Sequence, residues 1–72
     1  MMQQINHINF IDVESQDEAF VLVRAGAGIV GLTLPLKEDG DIEVFLGLSE
    51  CEQLLLSLQK AVSVAKGVAL AA

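Results

Sequence analysis

From Ile29 to Leu48 apolar side chains alternate with small or polar ones on both sides of Asp39-Gly40. A period of two marks strands with one buried face, and Asp-Gly between two such runs marks a hairpin. Only one parity of register puts Leu32, Leu34 and Leu36 on the same face as Ile42, Val44, Leu46 and Leu48. Within that parity Leu36 is expected opposite Ile42, with Glu38-Asp39-Gly40 as the loop and Lys37 facing Asp41. Gly40 then takes the left-handed position, and Gly31 and Gly47 become neighbours on the other face. Pro35 lacks a ladder donor and must turn its nitrogen away from any partner strand; a wider, five-residue loop is the alternative that relieves this.

Two further strand-like runs precede this hairpin, separated by the polar turn Glu14-Ser15-Gln16-Asp17, and Gly26-Ala27-Gly28 then turns the chain into Ile29. Short connections favour strands that pair in order. Behind the hairpin, Ser49-Glu50-Cys51-Glu52 reads as a capping box, in which the serine oxygen accepts from the Glu52 amide and the Glu52 carboxylate reaches back. Cys51, Leu54, Leu55, Leu58, Ala61, Val62 and Ala65 then fall on one helical stripe, with Gly67 as a stop unless Val68 to Ala72 prolong the helix. The expected fold is α+β and a single domain: a four-stranded antiparallel β-meander, strands about 5–13, 19–25, 29–36 and 42–48, then one C-terminal amphipathic helix, about 50–66, packed on one face of the sheet.

A helix covers one face only. The covered side is expected to hold Phe20, Leu22, Leu32, Leu34, Val44 and Leu46, with Ile11. The far side then shows Ile8, Phe10, Val21, Val23, Ile29 and Phe45 beside Gly31 and Gly47, an apolar patch that points to a homodimer or higher oligomer. Curling of the sheet over these residues is the alternative.

Length strengthens the case for a partner. A chain of 72 residues buries only about 60% of the surface its unfolded state exposes, and domains this small usually need disulfides, metals or oligomerisation. Cys51 is the single cysteine, which excludes an internal disulfide and a cysteine-rich zinc site. The run Ala19 to Leu36 carries one charge, Arg24, yet its three glycines, Pro35 and alternation fit strands and not a membrane span. The amino terminus shows no basic region followed by an apolar core, so a cytoplasmic protein is expected.

Candidate chemistry is sparse. Gly26-Ala27-Gly28-Ile29-Val30-Gly31 matches the dinucleotide fingerprint, but the segment after it reads as a strand where a helix is required, so the glycines are assigned to a turn and to close sheet packing. Amides at Gly26 and Gly28, with the Arg24 guanidinium, form a possible anion site. In a meander the first and third turns share an end, which gathers Asp12, Glu14, Asp17 and Glu18 with Glu38, Asp39, Asp41 and Glu43. Such an acidic rim attracts basic surfaces, although solvated hairpin tips look the same. Asp39-x-Asp41-x-Glu43 lacks the ligand count of a calcium loop, so no metal is expected. Cys51 and His7 have nothing in the sequence that brings them together as a catalytic pair.

Four cations against ten acids, a net charge of −6, and few aromatics argue against direct nucleic-acid binding. The expectation is a small acidic, non-enzymatic protein-interaction module without cofactors, an inhibitor or adaptor acting as a homodimer on a protein with a basic surface. The alternative is a binder of small anionic ligands with its site at the dimer interface.

Overall fold

A computed structural model describes residues 2–36 and 40–67. Its elements are β1 (Gln3–Ile11), β2 (Glu18–Gly26), β3 (Ile29–Leu36), β4 (Gly40–Gly47) and α1 (Leu48–Ala65). The strands form one antiparallel sheet in chain order, and the helix that follows packs against it. The expected α+β meander with a C-terminal helix is the architecture found.

The hairpin of β3 and β4 keeps the expected parity, but its register is shifted by two residues. Leu34 pairs with Ile42 and Leu36 with Gly40, so Gly31 faces Phe45 and Gly47 faces Ile29. The expected Leu36–Ile42 and Gly31–Gly47 pairs are not formed. Gly40, at φ +86, is the first residue of β4 and so leaves the loop one residue early. The rest of that turn, Lys37 to Asp39, lies outside the described residues. Pro35 pairs with Asp41, and the β2–β3 ladder ends at Leu22 and Thr33, so Pro35 sits where β2 no longer pairs with β3.

The larger difference is at the glycine turn. Gly26 pairs with Ile29, leaving a two-residue loop of Ala27 and Gly28, with Gly28 at φ +72. A loop one residue shorter than Gly26-Ala27-Gly28 turns every side chain of β2 to the opposite face relative to β3. Phe20 and Leu22 therefore lie on the face of Thr33 and Glu43, away from Leu32 and Leu34. Val21 and Val23 join the leucines instead. One face of the sheet is thus Ile8 and Phe10, Ala19 to Ala25 at odd positions, Val30, Leu32 and Leu34, and Ile42, Val44 and Leu46. The other carries His7, Asn9, Ile11, Glu18, Phe20, Leu22, Arg24, Ile29, Gly31, Thr33, Pro35, Asp41, Glu43 and Phe45.

The helix starts directly from β4, with Gly47 in an extended conformation as its N-cap and no side-chain capping bond. Ser49 lies inside the first turn, so the Ser49–Glu52 capping box is not built. Glu50 folds back on Gly47, where a Cβ would come 2.7 Å from its Oε1. At the other end the Lys66 amide donates to Val62 O and the Gly67 amide to Val64 O, and α1 ends at Ala65, with Gly67 at φ +80 just beyond its Lys66 C-cap. The segment 68–72 lies outside the described residues.

Because no loop separates α1 from the edge strand β4, the helix backbone comes close to β4 and β3 and, among the described residues, not to β1 or β2. It therefore does not cover Ile11, Phe20 or Leu22. Among the described residues no hydrophobic side chain is buried; Gly31 and Thr33 are the enclosed positions. The chain extends 44 × 31 × 17 Å.

Candidate functional site

Two places bring polar side chains together. The first is set by the register at Gly31. Arg24 of β2 and Phe45 of β4 flank Gly31, and one step along, Leu22 and Glu43 flank Thr33. With no side chain on Gly31, Arg24 reaches diagonally across β3, and its Nη2 donates to Glu43 Oε2. Thr33 Oγ1 donates to the same oxygen at 3.2 Å. A Cβ on Gly31 would lie 3.3 Å from Met2 Cε and Phe45 Cε1 and 3.4 Å from Glu43 Oε2, so the cluster closes tightly over the glycine. The Arg24 hydrogen bond, helped by that of Thr33 and opposed by partial desolvation, holds the Glu43 carboxyl below its ordinary pKa.

This placement bears on two expectations. Glu43 does not stand with the acidic rim; it belongs to the middle of the sheet as the counter-ion of Arg24. Arg24 in turn spends charge on Glu43 that the anion site with Gly26 and Gly28 requires. Gly28 forms the tight turn instead. The segment after the glycine motif, Ile29–Leu36, is a strand, so the helix N-terminus that a dinucleotide needs is not there.

The second place is the end of the sheet at the β1–β2 turn. The Asp12 carboxylate accepts the amides of Glu14 and Ser15 at 2.9 Å each, and the Asp12 amide donates to Asp17 O at 2.8 Å. Those two backbone donors, Ser15 first, lower the Asp12 pKa. Gln16 takes a left-handed φ of 66°, with its amide donating to Asp12 O at 2.8 Å. Asp12, Ser15, Asp17, Glu18, Ala19 and Pro35 line an open cleft of about 140 Å³. Asp41 pairs with Pro35, so the two turns do share an end, as expected. Glu38 and Asp39 lie outside the described residues. Glu14 stands in the same turn, exposed.

The expected dimer surface is divided. Ile8, Phe10, Val21 and Val23 are on one face of the sheet, while Ile29, Gly31, Phe45 and Gly47 are on the other. His7 meets Phe20 edge-on, ring centroids 5.2 Å apart, on β1, which has no contact with the helix that carries Cys51. Thr33 and Met2 were absent from the sequence reading of the site. The two-residue loop between Gly26 and Ile29, which the glycine run does not specify against a three-residue one, is what puts Arg24 next to Gly31.

No protein-family model, curated protein or solved structure matches this chain. No described helix is long and apolar enough to cross a membrane.

Proposed function

We propose that the protein is a small, non-enzymatic protein-interaction module that works as a homodimer in the cytoplasm, an inhibitor or adaptor whose acidic end meets a partner with a basic surface. The observation that carries this reading is the lack of any buried hydrophobic side chain among the described residues. A chain whose described hydrophobic side chains are at most partly buried gains stability by burying surface against another. The second support is electrostatic: Asp12, Asp17 and Glu18 converge on one cleft in a chain of net charge −6, which speeds encounter with a basic surface.

Light scattering at micromolar concentration tests the assembly, with twice the mass of the 7.7 kDa chain expected; a monomeric mass overturns the reading. The acidic end is tested by capture from the native host with Asp17→Lys/Asp41→Lys. Loss of the captured protein with unchanged dimer mass is expected, and equal capture refutes the role of that end.

A further inference from the structure

We propose that two copies join helix to helix, α1 of one running antiparallel to α1 of the other along the seam Leu48, Cys51, Leu55, Leu58, Val62 and Ala65. This rests on the homodimer reading above and specifies its surface. Three observations carry it. The first is where the helix lacks a layer. Cys51 and Leu54, in the turns next to β4, are partly buried, whereas every residue from Leu55 to Ala65 is exposed, Leu55 and Leu58 by 55% and Val62 by 52%. The sheet thus shelters only the start of α1, although helices in proteins owe most of their stability to packing of an apolar face. The second is spacing. The six seam positions follow one another in steps of three, four, three, four and three residues. That 3.5-residue period keeps one line of side chains turned to a neighbouring helix, each fitting between those of the other.

The third is charge, and it selects a second copy as the occupant. Glu50 and Glu52 cancel Lys60 and Lys66 over α1 and its C-cap, so the whole net charge of −6 lies on the rest of the chain. Two copies therefore repel through their sheets and not through their helices. Within α1 the acids stand at the sheet end and the lysines toward the far end, a pattern complementary to itself when reversed. An antiparallel copy brings Glu50 and Glu52 level with the lysine half of its neighbour and opposes the two helix dipoles, whereas a parallel copy sets acid beside acid. It also holds the two acidic sheets at opposite ends of an 18-residue helix, roughly 27 Å apart and more than three Debye lengths at physiological salt. With Leu55 opposite Leu58 of the second copy, Cys51 comes opposite its Val62.

That register is tested by Val62→Cys, which sets a new thiol opposite Cys51 of the other copy. With oxidised glutathione as the electron acceptor, the variant is expected to form a covalent dimer linked from Cys51 to position 62, located by peptide mass spectrometry. The native chain is expected to form none, because antiparallel pairing keeps its two Cys51 thiols far apart. Independently, Leu55→Glu is expected to weaken the dimer at least about tenfold by sedimentation, since a carboxylate enters the seam. Gln53→Glu, off the seam, is expected to leave it within about threefold of the parent. A covalent dimer of the native chain shows parallel helices, and a dimer that keeps its mass without the link to position 62, or its affinity in Leu55→Glu, uses another surface. Each of these overturns the helix pair while leaving the homodimer standing. A native chain that scatters as a monomer overturns both.

Discussion

At Gly31 a single missing side chain organises one face of the sheet. Arg24 crosses above it to Glu43, and Thr33 donates to the same carboxylate oxygen. Because the Glu43 carboxyl is held below its ordinary pKa in the folded chain, its contribution to stability is present above the unfolded value. It is lost as pH falls through the folded one. Acidification from neutral pH is therefore expected to leave the pair intact past the point where an unfolded glutamate titrates, with a Glu43 carboxyl midpoint lower than that of an unfolded peptide. Carboxyl-detected NMR titration checks this, and Glu43→Gln should flatten the corresponding part of the stability curve. The pair was hidden in the sequence because Arg24 and Glu43 sit in different hairpins, and their approach depends on how two strands register, not on either residue's surroundings in the chain.

Elements were legible where the signal is local. The alternation of Ile29 to Leu36 bounds β3 as it stands in the structure, and the polar turn after β1 separates two strands as expected. What did not carry over depends on one residue at a junction. Gly26-Ala27-Gly28 offers either a three-residue or a two-residue loop, and the choice decides which face receives Phe20 and Leu22. Likewise Ser49 and Glu52 have the spacing of a capping box, but the helix begins from Gly47, too early for Ser49 to serve as its cap. The two-residue loop makes its own demand. Gly28 holds φ +72 with open space around its missing Cβ, so the obstacle to a side chain there is backbone strain alone. Gly28→Ala is expected to destabilise the protein by about 1 kcal/mol, and Gly28→Asn by less. Urea denaturation at fixed chain concentration measures both.

For the molecule as a whole, the dimensions show what the elements leave undone. The Cα radius of gyration is 14.4 Å, against about 11 Å for a compact domain of this length. A sheet with a helix seated over one side spreads its apolar residues where a second chain can reach them. Under the proposed dimer, stability depends on the concentration of the chain itself. The melting temperature is expected to rise by several degrees as the chain goes from about 1 to 100 µM, since association favours the folded form by mass action. Calorimetry across that range checks it, and a concentration-independent melt excludes folding coupled to assembly.

The end of the β2–β3 ladder at Leu22 and Thr33 has one more consequence. Beyond it, Glu18 to Val21 are held by β1 alone, and that same end gathers the carboxylates of Asp12, Asp17 and Glu18. Missing hydrogen bonds and mutual repulsion thus act together at one pole of the sheet. The Gly28 end has the two-residue loop and a continuous β2–β3 ladder, while β1 pairs there across a bulge between Gln4 and Asn6. The β2–β3 pairing is thus uneven along the strands, and a partner of the proposed acidic end would meet β2 where only β1 holds it.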